Sequence, residues 1–402
     1  MKKAFYYAKS YVKLLSLVVL FAAVFTYAMF QGGFVSWFLF YSFLPFALYP
    51  MLLFFHPVKD FNVERDIEKL ECKAGDSVDI TVTITRGFPF PLVFLIVEEL
   101  LPYQLKPDSS TQVKSLVFPW FKREIKLSYS LDGVPRGEHH LLSIRLKTGD
   151  FLGLFTKEAT FEIPGRILAY PAYYDMNFRQ LANLFDQGQT SSSVRLQREN
   201  SIVSGVRDYQ PGDKLSWINW KATAKRNDIM TKEFEERKSQ DVFLLLDERK
   251  SEVYEELIVF TASLVQAIIK NGVQLGYFST GQAEGIVSVR GGDVQRHKLF
   301  YRLATSQPAA GERLKMVMEN SKKWLPFHVT LLLVTSYVTR EHIEEIGTVG
   351  ANRPVTVYCI KKGRSLTKEE VMLRETALLK GIKLKYMDYS LDNDDFSGVK
   401  AQ

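Results

Sequence analysis

Val242-Phe243-Leu244-Leu245-Leu246-Asp247 is five consecutive apolar residues closed by a carboxylate. A run this short, with no polar alternation, reads as a strand covered on both faces, the habit of parallel sheets. Val253, Leu257, Leu264 and Ile268 follow on one face of a helix that Asn271-Gly272 stops. Further strands are predicted at 273–278, 286–289, 329–334, 355–360 and 382–387, with helices at 294–304, 312–323, 340–346 and 368–379. Strand and helix alternating in this way predict a doubly wound α/β sheet over 241–391, followed by a tail at 392–402.

The pattern changes upstream. Over 59–170 the period is two: Val78, Ile80, Val82 and Ile84 alternate with polar residues, as do Ile125, Leu127, Tyr129 and Leu131, and then Leu142, Ile144 and Leu146. Half-buried strands separated by Gly75-Asp76, Asp132-Gly133, Arg136-Gly137 and Gly149-Asp150 turns predict a small β-sandwich. Residues 171–240 read as a linker, polar and small at Gln187-Gly188-Gln189-Thr190-Ser191-Ser192-Ser193, plus a dense segment discussed below.

Farther toward the N-terminus the chain turns oily. Residues 14–30 and 34–55 carry no charge, and the second run is roughly 33 Å long as a helix against a ~30 Å hydrocarbon core. Tyr11, Val12 and a snorkelling Lys13 extend the first run. No clear small-x-small cleavage site precedes the second run, which disfavours a cleaved leader. Gln31-Gly32-Gly33 joins the runs, so 1–58 reads as a tight transmembrane hairpin kinked at Pro45 and Pro50. Lys2, Lys3, Lys9 and Lys13 precede it without an acid, which places both termini and the soluble domains in the cytoplasm under a two-pass plasma-membrane topology.

Charge supports little else. The formal net charge is +7, and those four lysines supply more than half of it. The remainder is too nearly balanced to track nucleic acid. Two cysteines, Cys72 and Cys359, are too few for a disulfide scaffold or a four-cysteine zinc site, and neither has a histidine nearby in sequence. No phosphate-binding G-x-x-x-x-G-K-[ST] loop and no G-x-G-x-x-G is present. Gly276-Tyr277-Phe278-Ser279-Thr280-Gly281 misses the nucleophile-elbow spacing by one residue. His342-Ile343-Glu344-Glu345 lacks a second histidine and reads as a solvated helix face. His139 and His140 point to opposite faces of a strand.

The dense segment contains Arg207, Tyr209, Pro211, Gly212, Asp213, Trp217, Asn219, Trp220, Lys221 and Ala224 within 18 positions. Pro211-Gly212-Asp213 is a turn whose aspartate is suited to capping. Interleaved basic and aromatic residues suit a protein-docking surface, and buried tryptophans over internal ion pairs are the plainer reading.

Arg207-x-Tyr209-x-Pro211-Gly212-Asp213, then Ile218-Asn219-Trp220-x-x-x-Ala224, then Glu233-Phe234-Glu235-Glu236 running into Leu244-Leu245-Leu246-Asp247 resembles the signature of domain-of-unknown-function family 58. The resemblance implies a C-terminal von Willebrand factor A-like domain. It also implies a MoxR-type AAA+ ATPase and a membrane transglutaminase-like protein as partners. Such A domains hold a cation through aspartate-x-serine-x-serine. Here Asp247 and Ser251 match, Arg249 replaces the middle serine, Lys250 adds a second positive charge, and Thr335-Ser336 stands where a further aspartate belongs. Cationic substitutions at a cation's ligands oppose its binding. The expectation is therefore no metal and no cofactor, with Asp247 paired to Arg249 or Lys250. Taken together, the sequence suggests a membrane-anchored, non-enzymatic scaffold or adaptor, with the bilayer and the ATPase as partners. An envelope-associated hydrolase is the alternative, and it would need Asp247, Asp213 and a histidine to converge.

Overall fold

A computed structural model describes residues 2–105, 113–176, 202–210, 213, 215–226, 228–235, 241–281, 286–309, 325, 329–350, 353–363 and 365–388. The 187–193 tract, the 312–323 helix, the 392–402 tail, Pro211 and Gly212 lie outside these residues. The chain divides into two compact units, Met1–Pro171 and Ala172–Gln402.

The first unit opens with α1 (Lys2–Gln31) and α2 (Gly33–Phe55), of which Tyr11–Gln31 and Gly33–Phe55 are long and apolar enough to cross a membrane. Gly32 and Gly33 both take positive φ, 63° and 81°, which lets two helices meet with almost no connecting chain. α2 stays helical through Pro45 and Pro50. Lys13 does not snorkel free: its Nζ donates to the Leu154 carbonyl at 2.8 Å.

Among the described residues eight strands follow: β1 (Asn62–Ile67), β2 (Glu71–Lys73), β3 (Val78–Thr85), β4 (Leu95–Leu100), β5 (Lys114–Val117), β6 (Glu124–Leu131), β7 (Gly137–Gly149) and β8 (Thr156–Tyr170). They form a three-stranded sheet, β1-β3-β6, and a five-stranded sheet, β2-β8-β7-β4-β5, over one shared core. The β3 alternation holds, with Val78, Ile80, Val82 and Ile84 all buried. The β7 alternation slips. Leu141, Ile144 and Leu146 are buried, while Leu142 is 64% exposed. The register with β8 shifts between Leu141 and Ser143, where β8 carries one extra residue, and the buried positions of β7 change phase there. Between the sheets, buried Arg65 pairs with Glu99, which also accepts the Tyr129 hydroxyl at 2.9 Å. Burial raises the Glu99 carboxyl above its usual range against the pull of Arg65.

The second unit begins with a hairpin of β9 (Ile202–Asp208) and β10 (Met230–Glu235) that brackets α3 (Trp220–Arg226). Then come β11 (Val242–Leu246), α4 (Tyr254–Lys270), β12 (Leu275–Ser279), β13 (Val287–Arg290), α5 (Asp293–Thr305), β14 (Thr330–Thr335), α6 (Arg340–Val349), β15 (Val355–Lys361), α7 (Lys368–Leu379) and β16 (Ile382–Asp388). The sheet order is β13-β12-β11-β14-β15-β16. All pairs are parallel except β13, which runs antiparallel at the edge beside β12. β11 is buried along its whole length. Phe243 and Leu245 share one face with Ile343, Ile346 and Val349 of α6 and Ala377 of α7. On the other face Phe260 of α4 packs its ring 5.2 Å from that of Tyr358, and Gln295 of α5 donates to the Leu275 carbonyl at 2.7 Å. Helices therefore cover both faces of a mostly parallel sheet.

Candidate functional site

The chain passes from β11 to β12 on one side and returns to β14 on the other, so the strand order reverses between β11 and β14. Open α/β sheets take ligands outside the carboxyl ends of their strands at such a reversal. Asp247 leaves β11 at this point, Thr280 follows β12, and Thr335 ends β14.

Several of the polar groups gathered here bond one another. Asp247 is 2% exposed. Its Oδ2 accepts the Thr335 hydroxyl at 2.9 Å, and its Oδ1 accepts the Thr280 hydroxyl and the Arg249 N–H, each at 3.4 Å. Thr280 Oγ1 takes the Glu248 N–H at 2.9 Å, and Thr335 Oγ1 takes the Tyr337 N–H at 3.2 Å. Glu248, fully buried, accepts the Ser306 hydroxyl, which shares a 2.6 Å hydrogen bond with Tyr254. Burial, and then the Glu248 charge, hold the Tyr277 phenol well above its usual range.

Two glycines are needed in and after β12, Gly281 against the buried carboxylate and Gly276 against the apolar core. A Cβ at Gly281 would stand 2.1 Å from Glu248 Oε2, and one at Gly276 would stand 2.6 Å from the Phe243 ring. The Gly276–Gly281 stretch is thus a packing motif, and Ser279 is a buried strand end.

Asp247 forms no ion pair with Arg249 or Lys250, contrary to expectation. Threonine hydroxyls reach it first, and the Arg249 guanidinium lies over the Tyr337 ring at 5.4 Å. The residues do not fit the divalent cation that an A domain carries. The one carboxylate at a ligand position of the motif, Asp247, is engaged by hydroxyl donors, Ser251 contributes only a hydroxyl, and a guanidinium stands in the middle of the motif. Among the described residues no group of three or more His, Cys, Asp or Glu side chains could hold a metal. Neither Asp213 nor a histidine is among the partners of Asp247.

The signature segment folds into a local knot. Arg207 donates to Asp213 at 2.8 Å, and the Gln210 N–H donates to the same carboxylate at 3.0 Å. These bonds, Arg207's foremost, hold the Asp213 carboxyl below its usual range. Asn219 caps α3 through its side chain on the Ala222 N–H, and its own N–H reaches the Met230 carbonyl at 2.8 Å. Thr223 accepts the Met230 N–H at 3.0 Å, and the Tyr209 N–H donates to Ile229 at 2.9 Å. Trp220 is not buried as the plainer reading expected: it is 70% exposed, because the first turn of a seven-residue helix turns it outward. Trp217 is half-buried, and Lys221 and Ala224 are exposed.

Other sequence candidates are structural. His342 is buried, and with Thr339 it forms a reciprocal cap at the start of α6 instead of a solvated face. Burial pushes the Cys359 thiol up to about 12, which removes it as a thiolate nucleophile. His139 is buried and bonds the Pro135 carbonyl at 2.7 Å, while His140 faces outward. Thr280, Ser306 and Tyr254 went unnoticed in sequence, since nothing local marks a hydroxyl that closes a contact 33 or more residues away.

Comparison with known proteins places these features in a group. The family described as "Protein of unknown function DUF58" matches residues 205–365. The "Uncharacterized protein YeaD" of Bacillus subtilis (strain 168) is 37% identical over 378 residues, which cover 93% of this chain and 95% of that one. Among solved structures, the bacterial hydrophobin BslA has 13% identity and a TM-score of 0.17, covering 26% of this chain and 97% of its own. A CARDB domain from Pyrococcus furiosus has 12% identity and a TM-score of 0.20, covering 28% and 99%. Likeness at that level does not define a shared fold.

Proposed function

This chain belongs to the DUF58 family of proteins of unknown function, and we propose that it acts as a membrane-anchored, non-enzymatic adaptor. In this reading α1 and α2 cross the plasma membrane as a hairpin, with both chain ends on the cytoplasmic side. The β-module serves as a spacer or a docking module, and the α/β domain works in the manner of a von Willebrand A domain, as a protein-binding face. Its partner is a MoxR-type AAA+ ATPase, with a membrane transglutaminase-like protein in the same assembly.

One observation carries the reading. The signature hairpin is held by hydrogen bonds within itself yet leaves Trp220, Leu215 and Ile229 more than half exposed. Exposed aromatic and aliphatic side chains on a rigid, internally bonded frame suit a docking surface.

Cross-linking in native membranes, solubilisation of the full chain and mass spectrometry of what co-purifies test this. An AAA+ ATPase should be recovered with the wild type and fall by about tenfold with Trp220→Ala. Recovery of no protein of that class overturns the adaptor reading.

A further inference from the structure

We propose that the loop tip of the β-module is itself a membrane-contacting surface, seated in the headgroup region of the bilayer that α1 and α2 cross. The proposal rests on the membrane-crossing reading of those helices and adds a second, monotopic contact to it.

Topology gathers the tip. β3, β5 and β7 end where β4, β6 and β8 begin, so loops 86–94, 118–123 and 150–155 share one end of the two sheets. β1 starts at the same end, directly after α2, since Asn62 pairs with Thr85.

The tip packs against the helices above their exit. Leu154 and Phe155 cluster with Leu14, Leu17, Ala47 and Phe54. Tyr49 sits six residues, about 9 Å, before the end of α2. Its ring lies 5.8 Å from that of Phe151, and its hydroxyl accepts the Val93 N–H at 3.3 Å. If α2 crosses a bilayer, these loops already stand at the depth of its last turns.

What the tip presents outward has the chemistry of a membrane interface. Phe88, Phe118, Trp120, Phe121, Phe151 and Leu152 are each more than half exposed, and Lys122 and Arg123 beside them are exposed cations. The acid of the tip, Asp150, is turned inward and accepts the N–H groups of Leu152, Leu154 and Phe155. Aromatic rings with flanking cations favour the boundary between acyl chains and anionic headgroups.

The display is built in rather than a collapsed loop. Buried Arg86 donates to the carbonyls of Phe90 at 2.8 Å and Trp120 at 3.1 Å, and also to that of Lys122, which ties two of the loops together. Trp120 is held at φ 48°, a left-handed conformation uncommon for a bulky residue.

The test uses the full chain with one introduced, fluorophore-labelled cysteine at a time; the native thiols of Cys72 and Cys359 are buried. Phe121→Cys and Phe151→Cys report the tip. Asp132→Cys, at the far end of β6 and roughly 24 Å away along the strand, reports the opposite end. Leu48→Cys reports α2. Each is reconstituted into phosphatidylcholine–phosphatidylglycerol vesicles with lipids spin-labelled high on the acyl chain. The tip probes should be quenched at least about threefold more than the Asp132→Cys probe, as expected of a surface buried some 5–10 Å into the headgroup boundary. Tip probes no more quenched than that control, with Leu48→Cys strongly quenched, overturn the proposal and leave the anchor standing, whether the tip is bare or covered by a protein. An unquenched Leu48→Cys overturns the anchor and the proposal together.

Discussion

Two sheet ends in this protein are finished in opposite ways. At the carboxyl ends of β11, β12 and β14 a carboxylate pair is drawn inside, bonded by Thr280, Thr335 and Ser306, and closed over by a glycine. At the loop end of the β-module the acid Asp150 is turned inward and the aromatic side chains are left outside. A buried carboxylate needs hydrogen-bond donors to offset its lost hydration. Exposing a cluster of rings is tolerable only where something apolar meets them. The first end is therefore organised for stability and the second for contact.

Gly281→Ala should break the first end most severely. Its methyl would collide with buried Glu248, and a loss of about 3 kcal/mol or more is expected, read as a lowered thermal midpoint of the detergent-solubilised chain. Thr335→Val removes a donor from Asp247 and an acceptor from the Tyr337 N–H. A cost of about 1–3 kcal/mol follows for the buried polar groups left behind, measured by denaturant titration. A near-neutral Thr335→Val would show that Asp247 is less sealed than its geometry indicates.

The second end should respond to acid. Burial, with Lys157 and Arg86 nearby, holds His56 below its usual pKa, and its ring stacks 4.5 Å from that of Phe90. The unfolded chain then binds a proton near pH 6.5 that the folded chain refuses. Stability from this group is complete above that value and is lost as the pH falls toward the folded pKa. A thermal midpoint that drops between pH 7 and pH 5, with a smaller drop in His56→Phe, would bear this out. The smallest effect belongs to Phe121→Ser. With most of that ring exposed, folding stability should shift by no more than about 0.5 kcal/mol. A large shift would mean that the ring supports the tip instead of facing out from it.

Much of this contrast could be read before the fold was known, and the rest could not. The 242–246 strand, the 368–379 helix and the two apolar runs were legible because burial on both faces, helical period and span length are properties of adjacent residues. The signature positions were legible too, as a pattern of Pro-Gly-Asp turn and clustered aromatics. The direction in which Trp220 points was not, because it depends on how α3 is stitched to Met230 by Asn219 and Thr223. The β7 slip at Leu141–Ser143 and the reversed edge strand β13 escaped for the same reason, since a bulge and a strand direction are settled by the neighbouring strand.

The sequence by itself determined the oily hairpin, the β-module and the α/β domain, which rest on short-range periodicity, and the signature whose residues tie the chain to its family. Only the tertiary structure decided that Asp247 would be met by the side chains of Thr280 and Thr335, 33 and 88 residues away, and not by the charged side chains of its neighbours Arg249 and Lys250. A hydroxyl brought alongside by a parallel strand bonds a buried carboxylate without bringing a second charge out of water. Of the two neighbouring cations, Arg249 lies over the Tyr337 ring and Lys250 stays exposed.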